Sequence, residues 1–544
     1  MKNLKFILGL LLLFPFSLSA AQLAQTPPMG WNSWNAFGMG INEKVIKQTA
    51  DFMVSSGFRD AGYAYCNLDY GWQVSRDPKG EIQADPKQFP SGMKALGDYL
   101  HSKGLKFGIY TCAGTETCGK RPGSKGHEVQ DMKTYASWGV DYIKVDWCST
   151  DGLKSQAQYA LFRDGIQQSG RPMVLSLCNW GVDQPWLWGK QFGQLWRTTG
   201  DLVSCWDCKK DWGGMGVVQV LDKMEGLDKY SGPGGWNDPD MLQVGNGDMT
   251  LGEDRAHFSL WCVMAAPLMA GTNLATLKPA VKEVLLNTEA VALDQDPLGQ
   301  AGKRIKTNGK GQDVWARPLA DGSWAVCLLN RGAKSADVQV SWKDLGWKED
   351  QMKVRDLWSH RDLGVFDGGY NASVASHDVV FLKVGDAKAP ALKASALWRI
   401  RPGGDPLKDK QGHEWMGDMA FKGGQTAQTV MDVKAKGDMR LYQSERWGEN
   451  FNYSLPVEPG QYQVKMRFCE LYVKNPGERV FNVLINGQKA LERFDILKEA
   501  GGFAKGIEKT IDGVEPDDKG MVNIHFITEV QMAKVCSIEI VRQK

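Results

Sequence analysis

The chain has 544 residues, 42% hydrophobic and 24% charged, a composition that buries a core and excludes an intrinsically disordered protein. Its 65 Lys and Arg nearly balance 63 Asp and Glu, giving a formal charge of +2, so charge selects neither nucleic acid nor an anionic membrane as partner. At roughly 150 residues per domain this length holds about three or four domains, or fewer where one is an α/β barrel of about 250 residues.

Lys2 and Lys5 precede an apolar run from Phe6 to Phe16, and Ser17, Ser19, Ala20 and Ala21 follow it. That order is a secretory signal peptide over residues 1–21, cleaved after Ala20 or Ala21. The run has roughly eleven residues where a spanning helix needs about 20, which disfavours a permanent anchor. The mature chain is therefore expected to be exported, to a periplasm or the extracellular medium. Export also sets the reading of the 11 Cys: some pair, and an odd count leaves at least one thiol. Cys205 and Cys208 form a C-x-x-C with no second pair or nearby His, in a chain with only 7 His. A local disulfide or plain thiols fit better than zinc, so no metal and no cofactor is expected.

From residue 26 to 300, eight apolar runs alternate with helical stretches: Pro28–Trp34, Ala64–Asp69, Lys106–Thr111, Tyr142–Trp147, Met173–Trp180, Leu195–Asp201, Trp236–Leu242 and Trp261–Ala270. Eight buried strands joined by crossover helices predict an α/β protein of the (β/α)8 TIM-barrel type, with its chemistry where the strands end. A doubly wound open sheet is the alternative. From 301 to 386 the period changes to two: Val314–Leu319 and Trp324–Leu329 flank an Asp321-Gly322 turn, and Val338–Trp342, Met352–Trp358 and Val379–Val384 continue an antiparallel β-sandwich. Residues 387–395, rich in Ala, Lys and Pro, read as a linker. Residues 396–544 are again β-rich, with Gln461–Cys469, Val480–Asn486 and Val522–Thr528 as strands and Asn486-Gly487 as a hairpin turn.

Carboxylates carry the chemistry of the first block. Asp146 ends the fourth run and Asp201 the sixth, so both fall at the active edge of a barrel. Two carboxyls about 5–5.5 Å apart make a retaining glycosidase, one ionised as nucleophile and one protonated as acid/base. Lys144 stands two residues before Asp146, on the same strand face, where its charge is expected to hold Asp146 ionised. Arg197, four residues before Asp201, is placed to clamp a hydroxyl or orient the acid. Trp31, Asp69, Tyr110, Trp180, Asp240 and Met241 fall at the ends of other runs, mixing the carboxylates and aromatic faces a sugar pocket needs.

Pro28-Met29-Gly30-Trp31-Asn32-Ser33-Trp34, Tyr142–Cys148, Trp196–Asp201, Gly234-Gly235-Trp236-Asn237-Asp238-Pro239-Asp240-Met241-Leu242 and Ala265-Ala266-Pro267-Leu268-Met269 resemble glycoside hydrolase family 27, the α-galactosidase family. The resemblance implies a retaining exo-acting barrel with Asp146 as nucleophile and Asp201 as acid/base. It further implies a sugar pocket of Trp31, Asp69, Tyr70, Tyr110, Lys144, Cys178, Trp180, Arg197 and Asp240, and a disulfide between Cys118 and Cys148 beside the nucleophile. The sandwich that follows also resembles that family's C-terminal domain. One departure stands out. Family members active on α-galactosides usually end the second strand in Asp-Asp, which binds galactose on its C4 and C6 side, whereas this chain has Asp69-Tyr70. A tyrosine ring there crowds or re-contacts the C6 hydroxymethyl, which β-L-arabinopyranose lacks.

Residues 397–542 resemble the malectin domain, a carbohydrate-binding β-sandwich, through Leu441-Tyr442-Gln443-Ser444-Glu445-Arg446-Trp447, Glu470-Leu471-Tyr472 and Arg479–Gly487. Tyr442 and Tyr472 are the expected sugar-stacking residues. Val473 and Gln531 stand where that family places an aromatic and an acidic ligand contact, so the fold matches better than the ligand site. The sequence thus leads to an α-galactosidase acting on an oligo- or polysaccharide with terminal galactose or arabinopyranose. A β-L-arabinopyranosidase on the same scaffold is the nearest alternative. A non-catalytic carbohydrate-binding protein is the alternative of another class, disfavoured because a binding-only site has no need of a charged nucleophile.

Overall fold

A computed structural model of the chain describes residues 23–347, 351–386, 395–404, 406–418, 420–518 and 520–543. The expected signal peptide at 1–21 and the expected linker at 387–395, except for Ser395, lie outside the described residues.

Eight parallel strands pair in one sheet: β1 (Met29–Asn32), β2 (Tyr65–Asn67), β3 (Lys106–Cys112), β4 (Tyr142–Asp146), β5 (Val174–Cys178), β6 (Leu195–Arg197), β7 (Trp236–Asp238) and β8 (Leu268–Ala270). β8 pairs with β1, and a parallel bridge from Leu242 to Ala270 joins the remaining edges into a barrel. Helices α1 (Glu43–Ser55), α2 (Gly92–Ser102), α3 (Glu128–Ser137), α4 (Ser155–Ser169), α5 (Val217–Met224) and α6 (Leu251–Met264) make the crossovers, with short 3-10 turns serving between β5 and β6. The first residues of five strands, Tyr65, Tyr142, Val174, Leu195 and Trp236, lie in one buried cluster that fills the end where the strands start. Polar groups are left for the opposite end, where chemistry in this architecture sits.

The eighth expected strand is corrected. Of Trp261–Ala270, only Leu268–Ala270 is strand, and Trp261–Met264 is the last turn of α6. That helix is buried from Ala256 to Met264 without a break, so its residues show no helical stripe, and a short apolar run has no period to separate helix from strand. The start signal was in the sequence nonetheless: Thr250 and Glu253 close a reciprocal capping box, Glu253 N donating to Thr250 Oγ1 at 3.2 Å and Thr250 N to Glu253 Oε2 at 2.7 Å.

After the barrel, β9 (Lys303–Thr307), β10 (Gln312–Pro318), β11 (Trp324–Asn330), β12 (Ala336–Ser341), β13 (Gln351–Asp356), β14 (Arg361–Asp367), β15 (Gly369–Val374) and β16 (Asp378–Asp386) form a six-stranded sheet, ordered β9-β10-β11-β16-β13-β14, facing the pair β12-β15. Alternation explains its place. Val314, Ala316, Val326, Leu328, Leu382 and Val384 fill the sandwich core, while Trp315, Ala325, Cys327, Leu329 and Phe381, pointing the other way, join the core of the barrel. Barrel and sandwich therefore share a single compact unit, and residues 390–544 form a second.

The second unit is a β-sandwich with its own core, including Phe451, Val464, Phe468, Phe481, Val483, Ile524, Phe526 and Ile538. A four-stranded sheet (397–400, 537–542, 462–469, 506–514) and a five-stranded one (421–422, 450–456, 521–530, 480–485, 488–494) build it. Asn486 and Gly487 both have positive φ, 48° and 79°, which matches the right-handed twist of the strands they connect. Among the described residues no helix is long and apolar enough to cross a membrane.

Candidate active site

At the strand-end side of the barrel lies a cavity of about 750 Å3. Asp69, Tyr70, Tyr110, Lys144, Asp146, Cys178, Trp180, Arg197, Asp201 and Asp240 all line it, so ten residues singled out in the sequence meet in one place. Two of them stand on strained backbone, Trp180 with φ 55° and Asp240 with φ 87°, a conformation L side chains rarely adopt and that functional sites tend to hold.

Asp146 is held rigidly. Tyr110 Oη donates to its Oδ2 at 2.8 Å and the Trp147 backbone N–H to its Oδ1 at 3.0 Å, which fixes the carboxylate plane. Only 8% of the residue is exposed. Lys144, expected to hold Asp146 ionised by its charge, reaches Asp69 Oδ2 with its Nζ at 2.8 Å. Burial pushes the Asp146 carboxyl above its usual value, and the opposing pull of Lys144 and Tyr110 only moderates the rise. Asp69 is itself fixed by Asn32 Nδ2 at 2.8 Å and by the Tyr70 backbone N–H at 2.8 Å.

Asp201 has a different environment. Its side chain is 47% exposed, and Arg197 Nη2 contacts its Oδ1 at 3.0 Å and Asp240 Oδ2 at 2.9 Å. Partial burial raises the Asp201 carboxyl, but Arg197 and Lys144 together outweigh it and hold the group below its ordinary value. Asp240, enclosed next to the same guanidinium, is pushed by burial up to about 6. Leu202 N donates to Asp240 Oδ2 at 2.8 Å and Met241 N to its Oδ1 at 2.8 Å. One arginine thus serves two carboxylates with different burial, so their titrations are coupled.

A disulfide joins Cys118 and Cys148, as the resemblance implied, and Cys118 Sγ lies 3.2 Å from Asp146 Oδ2. A second bridge closes Cys205 to Cys208, deciding between the two readings of that pair. Cys178 remains a buried thiol, 3.5 Å from Arg197 Nη1; burial and the neighbouring Asp146 push it far above the usual thiol range, so it stays protonated.

Two expected site residues are placed elsewhere. Trp31 is 0% exposed, does not line the cavity, and donates its indole N–H to the Thr272 carbonyl at 2.8 Å. Trp34, three residues on, lines the cavity in its stead. β1 ends at Asn32, and the chain then turns into a short helix that carries Trp34 to the mouth. In the second unit Tyr442 is 2% exposed, packed in a cluster with Trp415, Leu441, Cys469 and Cys536. A ring so enclosed has no face free for a sugar. Tyr472 is 74% exposed, free to stack. Met39, Trp212, Gln243 and Asn246 also line the cavity; they come from loops, where no periodicity marks a site.

Comparison with known proteins agrees with this geometry. The family model described as Alpha galactosidase A matches residues 26–296, that of the alpha galactosidase C-terminal beta sandwich domain matches 309–384, and that of the Malectin domain matches 396–542. Alpha-galactosidase A of Cellvibrio japonicus is 48% identical over 378 residues, 67% of this chain and 93% of that protein. The crystal structure of α-galactosidase I from Mortierella vinacea superposes with a TM-score of 0.66 at 35% identity, covering 68% of this chain and 99% of that one. A β-L-arabinopyranosidase of the same family from Geobacillus stearothermophilus superposes at 0.61 with 26% identity, covering 69% and 99%. With its barrel, its following sandwich and its paired carboxylates accounted for together, the chain belongs to the α-galactosidase family, glycoside hydrolase family 27, and carries a malectin domain after it.

Proposed function

We propose that the protein is an exo-acting retaining glycosidase that removes terminal α-D-galactosyl residues from oligo- or polysaccharides. The observation that carries this is the pairing of a buried, doubly hydrogen-bonded Asp146 with a half-exposed, arginine-bound Asp201 in one sugar-sized cavity. An Asp146 oxygen attacks the anomeric carbon while Asp201 protonates the departing glycosidic oxygen, leaving a β-linked galactosyl ester on Asp146. Asp201, now ionised, takes a proton from water; the water attacks the same carbon and releases α-galactose. Asp69, Lys144, Cys178, Trp180, Arg197 and Asp240 hold the sugar hydroxyls, and no step calls for a cofactor. NMR of the first-formed product tests the scheme: α-galactose is expected, and β-galactose overturns the retaining mechanism.

The two ionisations set a pH window. The reactive form needs Asp146 ionised, and burial raises that group; it also needs Asp201 protonated, and Arg197 with Lys144 lowers that one. The first shift moves the acid limb toward neutral and the second moves the alkaline limb toward acid, so the reactive protonation state is a minor species and kcat/KM is expected to peak on the acid side of neutrality. Arg197→Gln removes the positive charge that holds Asp201 low, so Asp201 keeps its proton to higher pH. The alkaline limb of kcat/KM should then move toward neutrality, beyond any uniform loss of activity. A limb that stays in place would remove Arg197 as the cause.

A specific observation supports a second reading, β-L-arabinopyranosidase: the Tyr70 ring lines the cavity where an acidic residue was expected. The relative carrying that activity is the more distant of those compared, and galactose remains the first substrate. Export through the leader at 1–21 fits an enzyme acting on glycans outside the cytoplasm. The malectin unit serves attachment to polymer, with Tyr472 as its stacking face. Because it has a core of its own, removing residues from Ala387 onward is expected to leave hydrolysis of a small galactoside within about twofold. Retention on a polymeric galactoside, measured by co-sedimentation, should fall. Loss of soluble enzyme on truncation would instead make the unit a structural support.

A further inference from the structure

Trp212 is 64% exposed and lines the same cavity as Asp146 and Asp201. A large exposed indole costs solubility and contributes little to a fold, so its placement calls for a reason. The loop that carries it, between β6 and α5, is held at many points. The disulfide Cys205–Cys208 staples its middle. Trp206, inside that staple, is buried and stacks on His377 of the sandwich, with ring centroids 5.5 Å apart and planes 22° from parallel. His377 Nδ1 in turn lies 2.8 Å from Glu253 Oε1 on α6. Gln219 Oε1 accepts from the backbone N–H of Cys208 at 3.1 Å and of Gly216 at 3.2 Å, and Met215 N donates to the carbonyl of Asp201 at 3.0 Å. The loop is thereby tied to the residue that carries the acid.

The indole itself lies on its own backbone. A methyl group placed on Gly214 would meet Trp212 Cη2 at 2.5 Å, so the missing side chain of Gly214 is what lets the ring lie against the chain, one side covered and the rest open. Trp34, the other cavity-lining indole with notable exposure, is instead held edge-on to Tyr70 at 5.6 Å. Trp212 has no ring partner among the described residues.

We propose that Trp212 is the platform of a leaving-group subsite, which stacks on the apolar face of the pyranose ring whose glycosidic oxygen is protonated by Asp201. The proposal rests on the galactosidase reading of the same site and adds to it the residue that would select a sugar leaving group over a small alcohol. A pyranose presents axial C–H bonds on one face and hydroxyls at its edge, and an open indole suits the first. Ser204, on the same loop and also lining the cavity, offers a hydroxyl to the second. The occupant follows from continuity: the leaving group lies next to the acid Asp201, and the loop that carries Trp212 is hydrogen-bonded to Asp201 and lines the same cavity.

The experiment compares two substrates with one galactosyl group. α-Galactosyl fluoride has a one-atom leaving group that reaches no platform, whereas melibiose leaves glucose. In the full-length enzyme, Trp212→Ala is expected to keep kcat/KM on the fluoride within about twofold and to lower it on melibiose about fivefold to tenfold, mostly through KM, as the loss of one half-open aromatic contact would. Trp212→Tyr, which keeps an aromatic face, should recover part of the loss on melibiose. An equal change on both substrates, or no change on melibiose, overturns the subsite. Wild-type enzyme inert on the fluoride would overturn the galactosidase reading itself, a separate outcome.

Discussion

Asp146→Ala is expected to lose roughly 10⁴-fold or more in kcat on any α-galactoside, the scale of deleting one member of a concerted catalytic set. Azide should restore part of this with an activated substrate, because the small anion enters the space of the carboxylate and attacks the same face, giving β-galactosyl azide. Asp201→Ala is expected to fail for another reason. It should lose about 10²–10⁴-fold on substrates whose leaving group must be protonated, and nearly nothing in the glycosylation step with α-galactosyl fluoride, whose leaving group needs no proton. The galactosyl ester then persists, since no base activates water, and azide attacks it from the opposite face to give α-galactosyl azide. The geometry supports the division of labour: Asp146 has Tyr110 and the Trp147 N–H on its two oxygens, whereas Asp201 keeps 47% of its side chain exposed, so that it can exchange protons with water. The same anomer of azide from both variants would refute the assignment.

The parts of the fold and site that were legible in the sequence are those that regular geometry dictates. A strand that ends in Asp146 must point Lys144 to the same face, and a run of buried strands places their last residues at one rim, so Asp69, Tyr110, Asp146 and Arg197 meet without any knowledge of loops, whereas Cys178 came only with the family resemblance. The partnership of Lys144 was not legible, because the strand face says where a side chain points and not which carboxylate it meets; the choice of Asp69 depends on the neighbouring strands. Trp31 and Trp34 show the limit from another side. Both lie in the first run, and only the strand end at Asn32 decides that the first is core and the second is pocket. Tyr442 sits in a short 3-10 turn, Met439–Tyr442, where neither period two nor 3.6 tells inside from outside. Trp261 misled for a related reason, since a helix buried on all sides looks like a buried strand. Trp212 was silent because it sits in a loop, and its role depends on a disulfide and a stack on His377 that join residues far apart in sequence.

Tyr70→Asp is expected to raise kcat/KM for an α-galactoside relative to the corresponding β-L-arabinopyranoside by about 10-fold, within the roughly 10–200-fold range that one small substituent in a pocket is worth. The ring does not turn outward. Tyr70 is buried, lines the cavity, and is held edge-on between Trp34, at 5.6 Å, and Tyr110, at 5.8 Å. Its hydroxyl is tucked against Gly119, where a Cβ would stand 1.6 Å from it, and has no hydrogen-bond partner among the described residues. The ring therefore fills space while its polar end makes no bond within the protein, and a buried hydroxyl in that state costs stability unless ligand or water completes it. Shortening the side chain to Asp opens that volume to the C6 hydroxymethyl, which galactose has and arabinopyranose lacks, and supplies acceptors for its hydroxyl. Charge complicates the reading, because a carboxylate beside Asp69 also raises Asp146 further and shifts the acid limb for both substrates alike. Tyr70→Asn separates the two effects: it opens the same space without charge, and should shift the substrate ratio in the same direction with a smaller change in pH profile. A ratio unchanged in both folded variants would show that the ring does not reach the C6 side, and would leave Tyr70 no part in choosing between the two sugars.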